Sequence, residues 1–405
     1  MPKAVFAIGR DRQPLPVPRS MVDRSTLVNI PKSTRSVIAK AEAAEVGGRY
    51  ADAYASYFEV GELMLDTADY ARAKKNLLKA LDMAKKMKSL RHQTEANLHL
   101  SEAFRGMQKY VPALKHAQAA RELAQRSRDF RKIAESWLKE GVVLLNHAEA
   151  LQEDEGSASY YKSAITAFKE VLSLISSFEA NVRDLYELDA EINIGICQKG
   201  LENFDEAETA FLRCIIMAKR LGKNEHVRLS QVSENMGILY LEHGKPLDAL
   251  KNFQVAFDNV GLNDTESQAS LKMNIAYCQR NLNKIDEALK SAKESREIAE
   301  RSHLEESIEL AQRFITEIET ILTQDRELKR MEEELLRPGG AVNAHQALEN
   351  RIRAAEMNMK ADRPDKAVGH LKVAAGMIRK SKSPPPEEVH NWARVQAFLG
   401  ECCFL

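Results

Sequence analysis

The sequence predicts an all-α fold, a solenoid of helix-turn-helix repeats behind an extended N-terminal leader, and three observations carry that expectation. The 405 residues include only 12 Pro and 18 Gly, about half the usual combined share, so regular structure must run long. The prolines are also segregated: five lie in residues 1–32, five in 338–386, and only Pro112 and Pro246 between them. Within that middle stretch a small residue on one helix is answered by a second small residue twelve positions later, and the pair recurs.

In chain order, residues 1–32 form the leader. Lys3, Arg10, Arg12, Arg19, Arg24 and Lys32 stand against Asp11 and Asp23, and Pro14, Pro16 and Pro18 impose an extended conformation. A helix through Ile38 to Ala44 follows. Then Gly61, Ser101, Gly141, Gly195, Gly237 and Ala276 mark six first helices, at intervals of 40, 40, 54, 42 and 39 residues. Their partners twelve positions on are Ala73, Ala113, Ala207, Ala249 and Ala288, and four positions beyond those stand Leu77, Ala117, Phe211, Phe253 and Ala292. Two antiparallel helices approach closely only where one lacks a side chain and the other fills the notch. In the third unit the partner of Gly141 is Ala164, an excess that predicts an acidic insertion near 148–159 containing Glu153, Asp154 and Glu155.

These residues resemble tetratricopeptide repeats of the long form, about 40 residues each. The resemblance implies a right-handed α-solenoid for residues 33–300. Ala355, Ala367, Leu371 and Ala374, with Pro364 in the place of Pro246, give a seventh unit. Between them residues 301–337 read as a charged amphipathic capping helix, with Ile308, Phe314, Ile315, Ile318, Ile321, Leu322 and Leu328 on one face. Residues 338–405 hold the seventh unit, the Pro-rich linker Ser381 to Pro386 and an unpaired terminal helix near Gly400.

The order of features over roughly residues 37–337 is similar to the N-terminal repeat arm of Tonsoku-like proteins: Gly47-Gly48-Arg49-Tyr50 before the first unit, an inserted third unit, Asn-Ile-Gly and Asn-Met-Gly units, and Arg330 to Leu336. That resemblance implies a scaffold in genome maintenance, although the ankyrin and leucine-rich repeats of that family are missing. Spindle-orientation adaptors and axonemal docking proteins share the Asn-x-Gly phrase and supply the alternatives: an adaptor, or a structural component of a ciliary axoneme or other microtubule assembly.

The family resemblance also assigns an inner groove to the first helices, with the residue two before each small position facing it: Glu59, His99, Lys139, Asn193, Asn235, Asn274 and, in the seventh unit, Arg353. A carboxamide both donates and accepts, so Asn193, Asn235 and Asn274 form a ladder able to clamp a peptide backbone. Four and five positions after the small residue come Lys199, Arg280, Glu242 and Asn281. The expected partner is an acidic segment, helical or extended. The leader arginines Arg10, Arg12, Arg19 and Arg24 suit an acidic surface such as tubulin or a nucleosome.

Other functions find little footing. Charge is balanced, 59 Lys+Arg against 59 Asp+Glu, which removes a global attraction for nucleic acid. No Gly-rich phosphate loop, HExxH or GxSxG motif occurs, so no enzyme, cofactor, metal or small-molecule substrate is expected. His92 and His99 lack companions at ligand spacing, and Cys197, Cys214 and Cys278 read as compact apolar groups. Five Cys without a CxxC pair point to a reducing, intracellular compartment, nuclear or cytoplasmic, with the cilium as the alternative. The terminal Cys402-Cys403-Phe404-Leu405 fits a prenylation box, but no polybasic tract precedes it, and a membrane partner is not expected.

Overall fold

The structure, a computed structural model, describes residues 30–151, 156–222, 225–337, 344–360, 363–379 and 394–397. Among them sixteen α-helices are defined. In order they are α1 (Ile30–Val46), α2 (Tyr50–Asp66), α3 (Tyr70–Lys86), α4 (Leu90–Gly106), α5 (Tyr110–Ser127), α6 (Phe130–Leu151), α7 (Ser157–Leu174) and α8 (Ala180–Gly200). There follow α9 (Phe204–Leu221), α10 (His226–Glu242), α11 (Pro246–Asn259), α12 (Thr265–Asn281), α13 (Ile285–Arg301), α14 (Glu305–Leu336), α15 (Ala344–Lys360) and α16 (Pro364–Arg379). The chain divides into two compact units, residues 1–284 with 294–308, and residues 285–293 with 309–405.

The first unit is a solenoid of consecutive packed helix pairs. From α1 to α12 each helix packs against the next in the chain. The first helices of successive pairs also touch, α2 to α4, α4 to α6, α6 to α8 and α8 to α10. Small residues set this spacing, as the sequence requires. A β-carbon built on Gly195 would lie 2.5 Å from Cε1 of Phe211, and Gly141 and Gly237 meet Phe168 and Phe253 in the same way. The three phenylalanines are fully buried, and each contributes about 1.5–3 kcal/mol by leaving water.

A second lap joins one pair to the next. Tyr70, the first residue of α3, lies flat on Gly106 at the end of α4, and Tyr161 of α7 does the same to Gly200 of α8. At other pairs rings meet rings: Tyr110 stacks on His147 at 5.0 Å, and Phe204 meets His243 in a tilted contact at 4.1 Å between ring centroids.

Many of the turns between helices pass through one left-handed residue. Gly48 and Gly244 fill that place at two turns, but Ala68, Lys88, Gln108, Arg128, Glu202, Asn283 and His303 fill it elsewhere with φ between 54° and 60°. Helix starts are closed by side chains at several turns: Asp69, Ser89 and Asp264 accept from the backbone N–H three residues on. Pro246 opens α11, where its missing N–H costs nothing.

Four sequence boundaries shift. Helix α1 begins at Ile30, inside the expected leader, so the described part of residues 1–32 is helical. The insertion expected over 148–159 is shorter, because α6 continues to Leu151 and α7 begins at Ser157; Ala148 is buried and extends the helix instead of looping. The long helix expected over 301–337 runs Glu305–Leu336. Residues 394–397 are helical, while the linker 381–386 and Cys402 to Leu405 lie outside the described residues.

In the second unit Ala355, Ala367, Leu371 and Ala374 are all buried, with Leu348, Ile352 and Val395. Arg394 binds Glu349 and Glu356 of α15. From α14, Glu332 accepts from His370 (2.9 Å) and Asn358 (3.3 Å), and the Leu335 carbonyl accepts from Asn350 (2.8 Å).

Two outcomes follow. Gly195→Ala should lower stability by about 1–3 kcal/mol through overpacking against Phe211, read as a urea midpoint, and Phe211→Leu added to it should recover part of the loss. Gln108→Gly should raise stability by about 0.5–1 kcal/mol by relieving the left-handed backbone; an unchanged or lower midpoint would show that this turn carries no such strain.

Candidate partner-binding face

The first helices α2, α4, α6, α8, α10 and α12 present matching positions to one another because the notch fixes their depth. Two rows matter: the residue two before the notch and the residue one after it. In the first three repeats these rows pair across the boundary. His99 Nε2 of α4 lies 3.2 Å from Glu62 Oε1 of α2, and Lys139 Nζ of α6 lies 2.8 Å from Glu102 Oε2 of α4. Both pairs span 37 residues, one repeat to the next. His99 also bonds the Glu95 carbonyl (2.9 Å) and meets Phe58 edge-on at 4.7 Å, beside Tyr54 and His92. Neither His99 nor Lys139 is left over to read a ligand.

From the fourth repeat the rows change chemistry. Asn193, Asn235 and Asn274 stand on α8, α10 and α12, and the residues one after the notch in the preceding repeats are Val142, Ile196 and Ile238. These apolar groups offer no hydrogen bond. Asn193 is 4% exposed and Asn274 1% exposed, with Asn235 half-buried. Asn193 Nδ2 donates to the Asp189 carbonyl (2.7 Å) and Asn235 Nδ2 to the Gln231 carbonyl (3.0 Å), each one turn back in its own helix. Among the described residues Asn193 Oδ1 and Asn274 Nδ2 have no hydrogen-bond partner. Asn193 and Asn274 are thus buried more deeply than residues facing an open groove would be, and Asn235 only partly so.

The other expected site residues sit at the helix ends. Lys199 and Arg280 are half-buried, Glu242 and Asn281 exposed. Arg280 lies over the Tyr277 ring at 5.3 Å, which orients its guanidinium. Arg10, Arg12, Arg19 and Arg24 lie outside the described residues.

One charged cluster escaped sequence reasoning. Arg228, at the start of α10, grips Asp189 of α8 with Nε (2.6 Å) and Nη2 (3.1 Å), and reaches Glu225 with Nη1 (2.6 Å). All three are buried. Burial pushes the Asp189 carboxyl above its ordinary pKa against the pull of its bidentate bond to Arg228, while for the guanidinium burial is outweighed by its carboxylate partners, which hold it above its own ordinary pKa. Arg228 thus pins the fourth repeat to the fifth beneath the Asn row. The available signal was a carboxylate six before one notch and an arginine nine before the next, a spacing that means nothing until the helices are stacked.

Among the described residues no group of three or more His, Cys, Asp or Glu is arranged to hold a metal, and no described helix is long and apolar enough to cross a membrane. Cys197, Cys214 and Cys278 are buried and unpaired. Burial pushes all three thiols up, Cys278 to about 12.

Arg228→Met should cost about 3–5 kcal/mol because it strands two buried carboxylates, with Asp189→Leu in the same chain recovering part; thermal unfolding measures both. In the native protein at pH 8, iodoacetamide should leave Cys197, Cys214 and Cys278 unmodified and should alkylate them in urea, as followed by peptide mass spectrometry.

Comparison with known proteins agrees with the helix pairing. Residues 186–260, which span α8 to α11, match the tetratricopeptide repeat family model. Solved structures similar to this chain include the apo form of the quorum sensor NprR from B. thuringiensis (12% identity, 86% of this chain and 99% of that one, TM-score 0.48). They also include aspartyl phosphate phosphatase F from Bacillus subtilis (14%, 90% and 97%, TM-score 0.46) and a thermophilic tetratricopeptide repeat protein of Thermus thermophilus (14%, 55% and 98%, TM-score 0.42). No curated protein matches. Tetratricopeptide repeats are matched directly over residues 186–260, and the same notch packing recurs before them at Gly61 against Leu77 and at Gly141 against Phe168.

Proposed function

We propose that the protein is a non-catalytic scaffold that holds a segment of a partner protein against α8, α10 and α12. One observation carries this reading: buried amide atoms of Asn193 and Asn274 find no partner among the described residues, in a row where the earlier repeats satisfy themselves. A buried polar atom left unbonded costs about 1–3 kcal/mol, and such atoms are few in native folds. Lys199 and Arg280 at the rim add attraction for acidic side chains of the partner. The order of features shared with Tonsoku-like repeat arms supports genome maintenance as the setting.

The triple variant N193A/N235A/N274A tests the binding reading. It should lose co-purification of the main partner from native tissue by an order of magnitude or more, about 1.4 kcal/mol for each tenfold, while its circular dichroism stays that of the parent. Undiminished capture would place the site elsewhere. Nuclear foci after replication stress are expected for the proposed setting, whereas retention in salt-washed axonemes would overturn it in favour of a microtubule structure.

A further inference from the structure

One edge of the first unit carries a charge that the balanced composition conceals. Each helix turns back on the one before it, so the first helices run parallel and the turns leading into them fall along one edge. For a 17-residue helix such as α4 that edge lies about 25 Å from the opposite one. On it, the turn into α4 holds Lys85, Lys86, Lys88 and Arg91 with no acid between them. The turn into α6 holds Arg126, Arg128, Arg131 and Lys132 against Asp129 alone. Helices α4 and α6 touch, which sets the two turns side by side, about 10 Å apart. Phe130 stands in the middle of the second cluster and is 59% exposed. We infer that this edge binds single-stranded nucleic acid, with the cations on its phosphates and Phe130 stacked on an unpaired base.

Part of this charge is answered within the chain and part is not. Lys86 is held by Glu45 (3.2 Å) and Asp82 (3.0 Å), Arg91 by Glu95 (3.3 Å) and Lys132 by Glu135 (3.0 Å). Asp129 accepts from the backbone N–H of Lys132 (3.0 Å) and closes the start of α6. Lys85, Lys88, Arg126 and Arg128 are exposed, and among the described residues they make no ion pair. Helix stability does not account for the cluster either. Arg91 and Arg131 occupy the first turns of α4 and α6, which hold no acid, and a cation there opposes the helix dipole.

The rest of the edge and the Phe130 ring decide which polyanion fits. An anionic bilayer would lie along the whole edge. Farther on, Glu179 and Asp184 flank the entry to α8, and Asp258, Asp264 and Glu266 that to α12, acids that such a surface repels. An acidic peptide would answer the cations but would bring nothing planar to Phe130. A nucleic-acid strand needs only the short basic stretch. Each nucleotide brings a phosphate, which a guanidinium grips with two parallel N–H donors, and a base whose face an exposed ring covers. In a duplex those faces are already stacked, so the ring selects unpaired strand. The surface belongs to repeats one to three and to their edge, apart from the Asn row of α8, α10 and α12.

The test uses the full chain and fluorescein-labelled oligothymidylate of about 20 nucleotides, long enough to cover such a site, with anisotropy followed from low to moderate salt. Binding is expected at low salt, and log K should fall against log salt with a slope of about −3 to −4, the value for about four to six phosphate contacts. K85Q/K88Q/R126Q/R128Q should flatten the slope by about 3 and lower affinity about a hundredfold or more at low salt. F130A should weaken the single strand about tenfold without changing the slope, F130Y should restore it, and on a duplex of equal length F130A should matter less than about twofold. All five positions are exposed, so circular dichroism and the urea midpoint should stay those of the parent. Should F130A unfold, the salt slope of the unmodified chain and its preference for single strand over duplex still decide. No binding at low salt, a slope indifferent to the quadruple variant, a folded F130A without effect, or a duplex bound as tightly as the single strand would overturn the inference. Equal capture by polyglutamate or by phosphatidylserine vesicles would overturn it too, assigning the edge to an acidic protein or to a membrane surface.

Discussion

The rest of the first unit depends on one constraint: at a fixed position in each first helix the side chain is small or missing, so that in four of the six pairs a leucine or phenylalanine of the second helix occupies its volume. Phe211 against Gly195 and Phe253 against Gly237 leave no room for even a β-carbon. A contact this tight fixes the depth and rotation of the helix pair, since neither helix can turn without driving a ring into backbone. Rotation, in turn, decides which residues of α8, α10 and α12 face their neighbours. The Asn row is therefore a product of the notch. Any looser packing would scatter residues 42 and 39 positions apart in sequence over different faces.

Stacking pairs creates a second problem, which the chain solves in two ways. First helices crowd together along the inner face, and their polar groups lose water there. In repeats one to three the solution is internal: acid one after the notch meets base two before the next. Deeper in the stack the same service falls to Arg228, which satisfies Asp189 and Glu225 together. Such pairs stabilise little in net terms, because desolvation offsets the attraction, but they fix register between repeats. Where isoleucine replaces glutamate in the first row, an asparagine in the second has nothing to answer it. At Asn193 and Asn235 the amide nitrogen folds back on its own helix, as in Asn76, Asn97 and Asn252, whereas that of Asn274 stays unbonded among the described residues. For Asn97 the leftover oxygen is met by His116 at 2.8 Å; for Asn193 it is not.

How much of this was legible in the sequence depended on the separation of the interacting residues. The notch and its filler lie sixteen residues apart within one helix pair, so the period exposes them directly. The lap of Tyr70 on Gly106 and of Tyr161 on Gly200 joins different repeats. Neither pair falls on the sixteen-residue spacing that exposes the notch. Left-handed turns were equally hidden, because Lys88, Gln108 and Glu202 hold φ near 55–60° without the glycine that would have announced them. The site was legible as a row and illegible in depth: Asn193, Asn235 and Asn274 were found by counting from the notch. Their burial depends on how closely consecutive first helices stack, a quantity no single repeat contains.

That division bears on how such a scaffold acquires a ligand. A solenoid whose inner face is closed throughout by its own ion pairs would be rigid and inert, while one lined only by apolar residues would attract any greasy segment. Here the two chemistries are separated along the chain. The paired repeats hold the stack in register, which lets the next repeats leave buried amide atoms unmet without the helices shifting to meet them. The stabilisation forgone at Asn193 and Asn274 is recoverable only by a group that arrives with the right polarity at the right depth, and an apolar segment cannot recover it. Selectivity then resides less in the affinity of any one contact than in the cost of leaving the row unanswered.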